Sequence, residues 1–206
     1  MEYFTINASD DIAVIGDYPQ VQKSKNYKLA SPNSYWNVKW NRFPEFEPHY
    51  DIIISDKAKP TNLLGSLSGF YGLTVDGEFK ELIEQSHLPP YQFYPINVSY
   101  KDKAEDYYWF HFIDSFLDYV SFNDSEFELY QKSPFAILDT IKLESLNRLR
   151  ELENQQNFEK GVRIKILKLN VDFPTYDIIS LWGLTPLILV SEKLKKQGRR
   201  TRIDRH

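Results

Sequence analysis

The stretch that decides the fold is Gln92-Phe-Tyr-Pro-Ile-Asn-Val-Ser-Tyr-Lys-Asp-Lys-Ala-Glu-Asp-Tyr-Tyr-Trp-Phe-His-Phe112. Tyr94, Ile96, Val98 and Tyr100 alternate with Pro95, Asn97 and Ser99, and Tyr108, Phe110 and Phe112 alternate with Tyr107, Trp109 and His111. A period of two places successive side chains on opposite faces, as in a β-strand. Lys101-Asp102-Lys103 between the runs reads as a turn, so the two runs are expected to pair antiparallel. From Tyr91 to Phe122, 12 of 32 residues are Phe, Tyr or Trp. Aromatic residues favour strands and bury large areas, so this block is expected to form an aromatic core. Phe116 to Phe122 and Phe127 to Tyr130 read as further short strands, separated by Asn123-Asp124-Ser125, which suits an antiparallel meander.

Toward the N-terminus, Tyr3 to Asn7 reads as a short strand, and residues 16–34 as irregular. Tyr35, Trp36, Val38 and Trp40 read as an extended piece, and Asp51 to Ser55 as a strand. Pro60 suits the first turn of a short helix carrying Leu63, Leu64 and Leu67. Leu73 to Val75 is a strand, Asp76 is an N-cap, and Phe79, Leu82 and Ile83 form one face of a helix near residues 77–86. Toward the C-terminus, Leu138, Ile141, Leu149 and Leu152 fall on one stripe and predict a helix within 136–157, centred on 140–156. A strand follows from Val162, and its apolar phase flips near Ile166–Leu167, as a bulge would cause. The expected fold is α+β: one domain over residues 1–206, a mostly antiparallel, aromatic-rich sheet and a few helices. Ile96, Val98, Phe110, Phe112 and Leu149 are expected in its core.

Pro48-His-Tyr-Asp-Ile-Ile recurs as Pro174-Thr-Tyr-Asp-Ile-Ile. Each copy is followed by Gly-Leu-Thr (Gly72, Gly183), an apolar strand ending in Val75 or Val190, and a capping residue (Asp76, Ser191). This echo suggests two similar β-β-α units. A chance recurrence in a strand-rich chain is the alternative.

The chain has 206 residues, 42% hydrophobic and 26% charged, which suits a globular domain rather than a disordered one. It has no cysteine, which excludes disulfides, thiolate metal sites and a cysteine nucleophile. Residues 191–206 hold seven Lys and Arg against Glu192 and Asp204, whereas the other 190 residues carry 18 basic and 27 acidic side chains. The body is acidic and the tail basic, which favours basic partners over nucleic acid. The N-terminal residues lack a basic region followed by an apolar one, and Ile178 to Val190 is too short to cross a bilayer, so a cytoplasmic location is expected.

Catalytic signatures are missing. The four histidines fall in no metal-binding spacing, and there is no nucleophile elbow, P-loop or dinucleotide fingerprint. No catalytic residue, metal ligand or cofactor is therefore assigned. His111, in an aromatic strand, is expected to be packed. Gly65-Ser-Leu-Ser-Gly69 reads as a loop. Asp114, Asp118, Asp124, Glu126 and Glu128 cluster in sequence and are the candidate partner-binding residues, since an acidic patch speeds encounter with a basic partner. Two other readings stay open: a small hydrolase-type enzyme using the carboxylates at Asp114–Asp118, and a nucleic-acid accessory protein acting through residues 193–205.

Several segments together resemble a known family. These are Asp51-Ile-Ile-Ile-Ser, Gly72-Leu-Thr-Val, Gln92-Phe-Tyr-Pro-Ile-Asn-Val, Tyr107-Tyr-Trp, Ile113-Asp, Asp177-Ile-Ile-Ser and Leu189-Val-Ser-Glu-Lys-Leu-Lys. Across residues 48–196 the chain is similar to a bacterial immunity-protein family of polymorphic toxin systems, first catalogued as a domain of unknown function. The Arg-rich segment 197–206 stands outside the resemblance. The resemblance implies a cytoplasmic inhibitor that binds a cognate toxin domain, with no catalysis and no cofactor. Many such toxins are basic, which suits the acidic body.

Overall fold

In the computed structural model, which describes residues 2–155 and 159–201, the chain folds as a mostly-sheet α+β protein. Its elements are β1 (Tyr3–Thr5), α1 (Ile12–Ile15), β2 (Val21–Lys23), β3 (Asp51–Ile54), β4 (Leu63–Leu64), β5 (Leu73–Asp76), α2 (Gly77–Glu84), β6 (Tyr91–Tyr100) and β7 (Lys103–Phe112). There follow β8 (Glu126–Gln131), β9 (Ala136–Ile141), α3 (Leu146–Gln155), β10 (Lys160–Ile166), β11 (Ile178–Ser180), β12 (Ile188–Ser191) and α4 (Glu192–Thr201). The chain divides into two compact units: a larger one with residues 2–114, 175–180 and 187–201, and a smaller one with residues 115–155, 159–174 and 181–186.

The larger unit is built around the β6–β7 hairpin, paired in unbroken register from Tyr91↔Phe112 to Tyr100↔Lys103. Lys101 and Asp102 both adopt positive φ, 49° and 62°. That is the conformation a two-residue hairpin turn needs to match strand twist. The six-stranded sheet runs β2-β3-β6-β7-β5-β4. β3 pairs parallel with β6, and the other pairs of this sheet are antiparallel. The period of two then separates two cores. Ile52, Ile54, Ile96, Val98, Tyr107 and Trp109 point to one side and pack with Tyr35, Tyr50 and Phe70. Leu73, Val75, Phe110 and Phe112 point to the other and pack with α2, α4 and a second sheet, β1-β12-β11. Ile96, Val98, Phe110, Phe112 and Leu149 are all buried, as expected.

The echo is also present, with a changed correspondence. Asp76 and Ser191 each end a strand and cap a helix: the Phe79 N–H donates to the Asp76 carboxylate at 2.8 Å, and the Leu194 N–H to the Ser191 hydroxyl at 3.2 Å. The strand that pairs with β5 is β4, not β3, so the hairpins that match are β4–β5–α2 and β11–β12–α4. In both, the cap's backbone N–H donates to the residue that opens the hairpin, Asp76 to Asn62 at 3.0 Å and Ser191 to Asp177 at 2.8 Å.

Six local expectations are corrected. Residues 136–141 form a strand, and the helix starts only at Leu146, where the Arg148 N–H donates to the Ser145 hydroxyl at 3.2 Å. The apolar stripe had joined a strand and a helix. Tyr35–Asn37 and Phe116–Tyr119 are single turns of 3₁₀ helix rather than extended pieces. Leu63 and Leu64 are in a strand, because both side chains are drawn into the core beside β5. The meander ends at β7, since β8 pairs instead with β9 and β10. The register irregularity in β10 falls between Ile164 and Ile166, slightly ahead of its expected position. The last five residues of the basic tail lie outside the described residues; as far as residue 201 the tail belongs to α4.

Candidate protein-binding surface

The smaller unit is a three-stranded antiparallel sheet, β10-β8-β9, backed by α3. Its inner face buries Phe127 against Leu143 and Leu149, with Ile141, Leu152, Val162 and Ile164 around them. The pleat fixes what points outward: Glu126, Glu128 and Tyr130 from β8 lie on the face opposite Phe127.

On that outer face, Arg163 Nε donates to one carboxylate oxygen of Glu128 at 2.8 Å, and Nη2 forms an ion-pair contact with the same oxygen at 2.7 Å. The same guanidinium lies 5.2 Å from the centroid of the Phe135 ring, and Phe135 in turn lies 5.6 Å from Tyr130. Tyr130 packs over Gly161, its cross-strand neighbour. A Cβ on Gly161 would sit 2.7 Å from the tyrosine ring, so only glycine lets the ring lie flat there. Glu126 stands between Lys142 at 3.7 Å and Lys165 at 3.6 Å. The result is a ladder of matched charges beside an aromatic–arginine cluster.

Beside this face runs β9, the edge of its sheet. Ala136 to Thr140 are all exposed, and Phe135, Ile137 and Leu138 are 59%, 42% and 44% accessible. A bulge between Leu129 and Tyr130 of β8 accommodates the extra residue Leu138 in β9. Proteins usually protect such edges with charge or proline, but β9 carries a single charge, Asp139. Tyr, Phe and Arg are enriched at the energetic centres of protein interfaces, and an exposed apolar edge invites an added strand.

The five candidate carboxylates therefore separate. Glu126 and Glu128 share the outer face and are paired with cations. Asp124 precedes them in a turn, accepting from the Ser121 hydroxyl at 2.6 Å. Asp118 is exposed on the 3₁₀ turn. Asp114 belongs to the larger unit, where it accepts from the Ser180 N–H. The smaller unit carries ten acidic and eight basic side chains, so most of the body's acidic excess lies in the larger unit. Phe135, Ile137 and Arg163 were not singled out in the sequence, and Leu138 was read as part of a helical stripe. The available signal was Ser133-Pro134 between two β-rich runs, which marks a hairpin turn, but the helical stripe concealed it.

Among the described residues, no group of three His, Asp or Glu side chains is placed to hold a metal ion, and no helix is long and apolar enough to cross a membrane. In the larger unit His111 is 1% exposed, packed among Phe43, Tyr94 and Trp109. No hydrogen bond of good geometry reaches either ring nitrogen. Burial pushes its pKa down to about 4, and the nearby Lys39 carbonyl, which favours the charged ring, does not offset that. Asp177 is 2% exposed. Burial alone would raise its pKa, but donation from the Ser191 hydroxyl, the His87 N–H and the Lys193 ammonium outweighs burial and holds it below the usual carboxylate range. Compared with protein-family models, with curated proteins and with solved structures, the chain matches none.

Proposed function

We propose that the chain is a cytoplasmic immunity protein that binds a cognate, basic toxin domain and neutralises it without turnover of its own. The observation that carries this reading is the outer face of the β10-β8-β9 sheet with its open edge. Phe135, Tyr130 and Arg163 stand exposed or half-exposed beside the apolar edge strand β9. In this reading the rings and the Arg163 side chain form the energetic centre of the contact, and β9 offers its backbone to the partner. The acidic excess of the body, drawn mainly from the larger unit, speeds encounter with a basic domain. The resemblance noted over residues 48–196 supplies the class of partner.

The test is co-expression with a basic toxin domain encoded beside this chain, followed by affinity capture. A stable complex and survival of the host are expected. A toxin that kills equally with and without this chain, and fails to co-purify, would refute the reading. Turnover of a small substrate, abolished by Asp114→Asn, would replace it with the hydrolase alternative.

A further inference from the structure

The larger unit holds a cavity of about 460 Å³ among β1, α2, β12 and α4. That size lies within the range of roughly 300–1,000 Å³ typical of small-molecule sites. Leu63, Phe79, Leu82 and Leu194 line it, all of them buried, together with Phe4. Thr5, Asn7 and Ser9 add polar groups to the lining, and its one charged side chain is Lys195, whose ammonium lies 3.3 Å from the Phe4 ring centroid.

Two features of α4 point to a ligand. The first is the distribution of charge. Lys193 binds Asp177 at 3.0 Å and Lys196 binds Glu192 at 2.7 Å, whereas Lys195 rests on an aromatic ring. Glu192, one turn back, is coupled to both Lys196 and Lys195, but its hydrogen bond goes to Lys196. The second is Gly198, inside a helix, where glycine is a poor former. Among the described residues, a Cβ at Gly198 would come no closer than 3.7 Å, to Leu82 Cδ2, which is ordinary contact. Packing between α2 and α4 therefore does not require glycine there. Its effect is to keep clear the space that Gly198 and Leu82 both line.

We propose that this cavity binds an aliphatic monocarboxylate. The chain lies among Phe79, Leu82 and Leu194, and the carboxylate takes the Lys195 ammonium, exchanging a cation–π contact for a charge-assisted hydrogen bond. The cavity lies wholly in the larger unit and stands apart from the partner reading.

Calorimetric titration of the full chain with decanoate tests this, with decyltrimethylammonium as the control of equal chain length and opposite charge. Decanoate is expected to bind one per chain and the cationic amphiphile not at all. Lys195→Gln should weaken decanoate about tenfold or more, the usual effect of losing a charged hydrogen-bond partner. Gly198→Leu, which fills the cavity, should abolish binding. Gly198→Ala should raise the melting temperature through helix propensity while weakening decanoate, a combination that lost folding cannot produce. The absence of any decanoate heat, equal binding of the two amphiphiles, or unchanged decanoate affinity in Lys195→Gln would each overturn the proposal.

Discussion

At the scale of single residues, burial decides which groups carry consequences. His111 is neutral in the fold because its surroundings exclude the charged ring. Above about pH 6.5 it is neutral in the unfolded chain as well, and costs nothing. Between about pH 6.5 and the folded value of about 4, the unfolded chain takes up a proton that the folded chain does not, so stability falls with pH. Below about 4 the loss levels off, on the order of 3 kcal/mol. Urea unfolding of His111→Leu between pH 7 and 4 should therefore show a flatter acid dependence than the parent; an identical slope would mean that the ring is charged in the fold. Phe110 is fully buried, and Phe110→Ala is expected to cost about 3–5 kcal/mol. Glu126 and Glu128, half-buried on the outer face, act through their ion pairs. Replacing both by Ala removes the carboxylates that pair with Lys142, Lys165 and Arg163. Association with a basic toxin domain should then slow several-fold, most at low salt, with dissociation changed less. Stopped-flow mixing across a salt series measures this, and an unchanged association rate would remove these carboxylates from the encounter.

At the scale of elements, the two capped helices show what the sequence specifies locally. Asp76 and Ser191 were both readable as caps, because a short polar side chain before an apolar helical face has few other uses. Their second contacts differ. Asp76 also accepts from the Asn62 side chain at 2.8 Å, whereas the Ser191 hydroxyl donates to the buried Asp177 at 2.6 Å. Asp76→Ala should therefore cost about 1 kcal/mol, and Ser191→Ala about 2 kcal/mol, since it also removes a donor from a buried carboxylate. Denaturant midpoints compare the two, and equal losses would show that Asp177 is satisfied without Ser191. The β6–β7 hairpin was readable because alternation and turn agree over both strands. β9 was not readable, because Leu138 and Ile141 also match the stripe of the following helix, and a six-residue run cannot separate the two periods. Leu63 and Leu64 failed for a related reason: two residues hold no period, and the neighbouring strand chose their state.

At the scale of the whole molecule, the sequence conveyed the fold class and the apolar residues of the cores, because both follow from local pattern and composition. It did not convey which strands pair. The β3–β6 parallel contact and the departure of β8 to its own sheet are settled by long-range burial, which leaves no local mark. The candidate surface was half readable for the same reason. Charge runs are visible in sequence, and they led to Glu126 and Glu128. Their cross-strand cations and the Tyr130–Phe135–Arg163 cluster depend on register. The smaller unit is nearly balanced in charge, so in the proposed reading contact there would rest on rings and backbone, and attraction at distance on the acidic excess of the larger unit. The proposed binding face is tested most directly by hydrogen exchange of this chain alone and mixed with the basic toxin domain that the proposal names. Strong added protection is expected at residues 136–141, with lesser protection at 161–165. Unchanged exchange throughout β9, with protection confined to other segments, would contradict it.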